Sequence, residues 1–219
     1  TPLMLILTAS IILKGVKSGI ETWSRRLMPL LLVLLVGLIA YIATLDGASE
    51  GFAAYLIPDF SQILDPNLII AAMGQAFFSL SLGVGCMMIY GSYLQPDANL
   101  PKLTAGVALL DTGVAFLAGL LIIPAIYVAQ HSGVEVFSGG KLIGEGQLIF
   151  AILPELFSTM GEIGLLVGLL FFVLMSIASV TSTISTTEIP VAFLVENHNV
   201  SRTKATWAVS AVVLVCASA

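Results

Sequence analysis

Apolar runs separated by polar turns divide the chain into six candidate membrane spans, at about residues 2–13, 27–45, 68–94, 103–129, 163–195 and 205–219. The run from Leu27 to Leu45 has the roughly 20 residues that cross a ~30 Å hydrocarbon core at 1.5 Å per residue. Pro29 falls in its first turn, where proline is tolerated. The fifth run is long for one crossing and is expected to tilt or to project beyond the bilayer. The first run is short and the last stops without a polar cap, so the chain reads as an internal piece of a longer protein. Two longer polar segments, 46–66 and 131–162, are expected outside the membrane. The second holds Gly139-Gly140 and Gly144/Gly146. It also holds an apolar stretch around Pro154 that is too short to span, which predicts a helical hairpin dipping into the outer face.

The third run does not read as a plain helix. Its centre is Gln75-Ala-Phe-Phe-Ser-Leu-Ser-Leu-Gly-Val-Gly85, with two hydroxyls and two glycines among its last residues. Glycine costs about 1 kcal/mol against alanine inside a helix. In hydrocarbon, each unpaired backbone amide or carbonyl costs several kcal/mol more. A helix broken at membrane depth survives only if its freed groups are buried in protein or bound to a ligand. The stretch therefore predicts a ligand or ion site near the bilayer midplane. The alternative is a glycine-softened helix packed against a neighbour.

Composition makes the membrane assignment firm. The chain is 58% hydrophobic and 10% charged, with mean hydropathy +1.06, where soluble domains carry about 25% charged residues. Lysine and arginine set the orientation. Lys14, Lys17, Arg25 and Arg26 lie in the first turn, Lys102 in the third, and Arg202 and Lys204 in the fifth; only Lys141 lies elsewhere. The odd turns are thus expected on the cytoplasmic side, in a plasma (bacterial inner) membrane, with lipid and no nucleic acid as partner. Cys86 and Cys216 form no CxxC pair, which excludes a disulfide framework.

Candidate chemistry collects at one depth. Ser79 lies roughly a dozen residues inside its run, and Asp111 about nine residues from Lys102, both near mid-membrane. The fifth run carries a hydroxyl cluster from Ser176 to Thr187, in which Ala178, Thr181 and Ser182 share a face at i, i+3 and i+4. A mid-membrane carboxylate costs about 2.5–3.5 kcal/mol even on insertion scales, so Asp111 needs a proton, a cation or a base as partner. A hard cation such as Na⁺ suits hydroxyls, freed carbonyls and one carboxylate. Any single hydroxyl can instead turn back on its own helix. Glu188, nearer the cytoplasm, is expected to line a water-filled inner path. His131 and His198 read as solvated loop residues. Gly164 and Gly168 form a small-xxx-small pair for close helix packing.

Gly74-Gln-Ala-Phe-Phe-Ser-Leu-Ser-Leu-Gly-Val-Gly85 resembles the unwound sixth helix of the neurotransmitter:sodium symporters. Lys14-Gly-Val-Lys-Ser-Gly-Ile-Glu21 with Met28-Pro29, Pro58-Asp59-Phe60, and Ala192-Phe-Leu with Ser201-Arg202 resemble other stretches of the same family, in order. The resemblance implies an all-α polytopic membrane protein. This would be part of an inverted-repeat transporter fold with a discontinuous helix, covering the fourth to early ninth helices. It implies sodium-coupled symport of an amino acid rather than an enzyme, with two Na⁺ sites in the full-length protein and room for a homodimer. The first Na⁺ site matches Ser79 and Asp111. Asp111 stands where the family has Asn, so chloride is not expected. The second matches the Ala178 carbonyl, Thr181 and Ser182. The substrate pocket matches Phe78, Ser79, Ser81, Gly83, Val84, Ser182 and Thr186. Val84 and Thr186 replace an aromatic and an isoleucine of the bacterial leucine transporter. The first and third helices of the family complete these sites, so the fragment alone is not expected to transport. A proton-coupled exchanger using Asp111 and a non-transporting sensor on the same fold are the alternatives. An intramembrane aspartyl protease needs two facing acids, commonly in a Gly-x-Gly-Asp setting, whereas Asp111 follows Ala-Leu-Leu, which disfavours that reading.

Overall fold

The computed structural model describes residues 2–61, 63–134, 136–138, 141–142 and 148–218. Helix α1 (Pro2–Leu13) is followed by a π-helical turn (Val16–Glu21) and α2 (Thr22–Ile42). Helix α3 (Ala48–Leu56) occupies the first long polar segment. Helices α4 (Pro66–Ser79) and α5 (Cys86–Ser92) are two halves of the interrupted run, and α6 is Leu100–His131. A second π turn (Leu148–Ile152) leads into α7 (Leu153–Thr159), then α8 (Gly161–His198) and α9 (Arg202–Ser218). Apart from an antiparallel pair of two-residue strands, Phe137–Ser138 with Lys141–Leu142, the described residues form no sheet. The all-α class and the discontinuous helix are as the sequence predicts. Among the described residues, three helical stretches are long and apolar enough to cross a membrane: Ser18–Ile42, Leu100–His131 and Gly161–His198. Gly139, Gly140, Gly144 and Gly146 lie outside the described residues.

Local structure departs from expectation in three places. Helix α2 starts at Thr22, before its apolar run, so Pro29 stands inside the helix rather than in its first turn. The bond it forfeits is to the Arg25 carbonyl, at the polar end where water can replace it. His131 and His198 close α6 and α8 instead of lying in loops. The polar segment 46–66 is not all loop. Helix α3 forms there because Gly47, at φ 86, turns the chain into it and Gly51 allows contact with the Pro124 backbone on α6.

Two compact units divide the chain. The first comprises 1–30, 70–106 and 176–219, and the second 31–69 and 107–175. In the first unit, Ile11 and Ile12 of α1 and Ile20 pack with Val180, Ile184 and Val191 of α8 and Ala205 of α9. In the second, Leu35, Leu38 and Ile42 of α2 pack with Leu121 and Ala125 of α6, Leu153 and Leu156 of α7, and Phe171 of α8.

The packing of α7 on α8 relies on the Gly164/Gly168 pair. A Cβ at Gly164 would overlap the Phe157 carbonyl oxygen, whereas one at Gly168 would meet the flexible Phe157 ring at 3.2 Å. Gly164→Ala is therefore expected to lower stability by about 1–3 kcal/mol, through forced overpacking against backbone. Gly168→Ala should cost clearly less. Thermal unfolding of the two variants in detergent checks the order.

Candidate functional site

The break between α4 and α5 is built by three residues in the left-handed region: Ser81 (φ 53), Gly83 (φ 83) and Gly85 (φ 94). Helix α4 ends as Leu80 N–H donates to the Ala76 carbonyl at 3.1 Å. The next two amides tighten and widen the turn, Ser81 to the Phe78 carbonyl and Leu82 to the Phe77 carbonyl. The amides of Gly83, Val84 and Gly85 make no backbone–backbone hydrogen bond among the described residues, until Ile89 N–H reaches the Gly85 carbonyl at 3.1 Å. Glycine takes such φ values at little cost. Ser81 does not, and a non-glycine residue held there stores about 1–3 kcal/mol, which is typical of ligand clamps. At Gly85 a Cβ would lie 3.6 Å from Ile189 of α8, so the restart of the helix is seated against α8, and Cys86 is buried there.

A cavity of about 270 Å³ opens beside the break. Ser81 and Cys86 line it from the break, and Thr181, Ser182, Ser185 and Thr186 from α8. Ser24 and Met28 close it from the start of α2. Six of these residues carry a hydroxyl, and none is aromatic or branched aliphatic. A second cavity, of about 540 Å³, borders Val84, Ser182, Thr186 and Ile189, with Val209 and Val213 of α9. Ser182 and Thr186 therefore line both cavities.

Several hydroxyls turn back on α8 itself. Thr181 donates to the Ala178 carbonyl at 2.9 Å, Thr183 to Ser179 at 2.7 Å, and Thr186 to Ser182 at 3.0 Å. Tyr90 of α5 donates to Ser185 Oγ at 3.2 Å. Back-bonding of this kind spends the proton of each threonine and leaves oxygen lone pairs as acceptors. The Thr181 hydroxyl and Ala178 carbonyl form an oxygen edge 2.9 Å long. A cation with oxygen ligands at ~2.3–2.6 Å can bridge such an edge, once the hydroxyl proton rotates away. The two groups at this edge are a neutral hydroxyl and a neutral carbonyl, and among the described residues no group of three or more His, Cys, Asp or Glu is placed to hold a metal.

The predicted site residues are thus distributed unevenly. Ser81, Thr181, Ser182 and Thr186 meet at one cavity, and Val84 joins Ser182 and Thr186 at the other. Ala178 contributes the carbonyl already described. Phe78, next to the last residue of α4, Ser79, is largely exposed, at 80%, and Gly83 has open space around it. Asp111 lies half-buried on α6, in the second unit. Cys86, Ser24 and Met28 went unassigned from the sequence. Ser24 and Met28 are four residues apart and so share a helix face, but nothing local marks that face as a cavity wall.

Glu188 requires a correction. It is fully buried and lines no water-filled path. Arg202, at the start of α9, donates through Nη2 to both its oxygens, at 2.9 and 2.7 Å, and through Nε to the Ile12 carbonyl at 2.9 Å. The Tyr93 hydroxyl donates to Glu188 Oε1 at 2.7 Å. One carboxylate thereby joins α8 and α9 to the ends of α1 and α5. The sequence put Arg202 on the cytoplasmic side and stopped there.

Comparison with known proteins covers nearly the whole chain. Residues 2–218 match the family model described as the sodium:neurotransmitter symporter family. An uncharacterized sodium-dependent transporter of Bacillus subtilis is 39% identical over 207 residues, 92% of this chain and 42% of its own length. The human sodium- and chloride-dependent creatine transporter 1 is 33% identical over 165 residues, 74% of this chain and 25% of its own. The crystal structure of MhsT in complex with L-phenylalanine matches with TM-score 0.80 at 40% identity, covering 98% of this chain and 46% of that one. The chain spans less than half the length of these relatives.

Proposed function

The chain belongs to the sodium:neurotransmitter symporter family, and from that premise we propose that it works as part of a transporter carrying an amino acid into the cell together with sodium. The family is one of sodium-dependent membrane transporters, not enzymes. The observation that carries the reading is the break at Ser79–Gly85, whose Ser81 shares one cavity with Thr181 and Ser182. Amides at Gly83–Gly85 without backbone partners among the described residues and strained Ser81 fit a ligand-bound, discontinuous helix.

Sodium takes two places in this reading. One shell draws on the Ala178 carbonyl and the Thr181 and Ser182 hydroxyls. The other draws on Ser79 and the Asp111 carboxylate, whose charge removes the need for chloride that a creatine-transporting relative carries in its name. The amino acid sits against Phe78, Ser79, Ser81, Gly83, Val84, Ser182 and Thr186. The L-phenylalanine complex of MhsT supports an amino acid as substrate. Helices outside this chain complete the sites, and the chain alone does not transport. Binding of each ligand orders the same broken segment, so sodium and substrate raise each other's affinity.

Uptake of labelled amino acids by the full-length protein, with sodium replaced by choline, tests this. Uptake is expected to collapse in choline and to be insensitive to a proton ionophore. Uptake that persists in choline but collapses with the ionophore would establish a proton-coupled exchanger instead. Failure to bind any amino acid with or without sodium would leave a non-transporting sensor.

A further inference from the structure

The polar turn between α1 and α2 carries Lys14, Lys17, Arg25 and Arg26 against one acid, Glu21, in a chain of net charge −5. Arg25 and Arg26 immediately precede the apolar run that begins at Leu27. Both guanidiniums therefore stand where the helix passes from water into lipid, the level of phospholipid phosphates. Trp23, a residue type that favours this level, packs against the Ile11–Ile12–Ile20 core and fixes the turn there. Beside it lies a cavity of about 420 Å³ lined by Glu21, Thr22, Arg25 and Arg26 alone. Arg25 Nη2 donates to Glu21 Oε1 at 2.9 Å, with the two side chains 79% and 54% exposed. An exposed pair of this kind is worth little, so Arg25 can exchange Glu21 for a better acceptor. Arg26 is exposed, and four residues on, Leu30 is exposed as well. A charged notch thus sits directly above an apolar helix face.

We propose that this notch binds the phosphate of an anionic phospholipid, held by Arg25 and Arg26, with an acyl chain along Leu30. Guanidinium matches phosphate through paired N–H donors. Juxtamembrane basic residues each add about 1 kcal/mol of attraction to an anionic leaflet. The site is separate from the transport cavity, so its loss leaves the reading of that cavity standing.

The test uses the full-length protein in nanodiscs of mixed phosphatidylcholine and phosphatidylglycerol, followed by native mass spectrometry of retained lipid. The wild type is expected to retain phosphatidylglycerol over phosphatidylcholine. The R25A/R26A variant should lose that preference about 30-fold, the ~2 kcal/mol carried by two arginines. R25K/R26K keeps the charge but loses the paired guanidinium donors, so it should keep part of the preference, which separates a headgroup site from a folding defect. Equal retention in R25A/R26A would overturn the proposal. Displacement of the retained lipid by millimolar inorganic phosphate would also overturn it, in favour of a site for soluble phosphate.

Discussion

In the full-length protein, Asp111→Ala is expected to abolish the sodium dependence of amino-acid binding while folding and membrane insertion persist. The carboxylate is half-buried within α6, twenty residues from that helix's end at His131. A charge at such depth opposes insertion by about 2.5–3.5 kcal/mol, so loss of the carboxyl is not expected to block insertion. Coupling between two ligands through a shared site amounts to about 1–3 kcal/mol, or 5- to 150-fold in affinity. Substrate affinity in saturating sodium should fall by a factor in that range, and sodium titration should no longer change it. Asp111→Asn keeps one oxygen ligand without the charge and should lose less. Sodium titration of labelled amino-acid binding, paired with thermal unfolding of each variant, gives both readouts. An unchanged sodium response in Asp111→Ala would remove this residue from the site.

What the sequence made legible follows from the physics of lipid. The break at Ser79–Gly85 could be read because glycine and serine at that density make a poor uninterrupted helix, and freed backbone groups in hydrocarbon need a partner. The structure shows it as left-handed backbone at three alternate residues, Ser81, Gly83 and Gly85, between α4 and α5. The α8 hydroxyls could be read as a face because their spacing is helical, and four of the predicted site residues do border one cavity. Their hydrogen bonds could not be read. Thr181, Thr183 and Thr186 each donate their proton to a carbonyl of their own helix, so a cation that bridges a threonine oxygen and its carbonyl must first displace that bond.

Other features were hidden for reasons equally physical. Periodicity of apolar residues locates the lipid-facing part of a helix, not its polar first turns, so the start of α2 at Thr22 and the interior position of Pro29 were missed. Helix α3 is held by contacts of Gly51 and Gly47 with α6, more than seventy residues away in sequence, and no local pattern encodes such a contact. The partner of Glu188 lies beyond a helix terminus, fourteen residues on. Charge counting placed Arg202 at the membrane boundary for orientation, but whether it stays in water or turns inward depends on what is buried beside it.

That inward turn sets the largest stability effect expected for the chain. Arg202→Ala should destabilise the protein by about 3–5 kcal/mol, because it leaves a buried carboxylate without its counter-charge. Glu188 has no exposure of its own, against 25% for the Arg202 side chain. The two truncations are therefore unequal. Glu188→Gln removes the charge but keeps an acceptor for Tyr93, and the remaining guanidinium can reach water through its exposed edge. It should cost less than Arg202→Ala. Removing both charges with similar-sized apolar residues, Glu188→Leu with Arg202→Met, should recover much of the loss, since a well-packed apolar replacement is often neutral for a buried pair. Unfolding temperatures of Glu188→Leu, Arg202→Met and the variant that combines them measure the coupling directly. Additive losses would show that Arg202 stabilises through its Nε bond to Ile12 and through packing, with the ion pair contributing nothing of its own. A double variant more stable than either single one would show that the pair's main effect is to make each charge tolerable where α8, α9 and the ends of α1 and α5 meet.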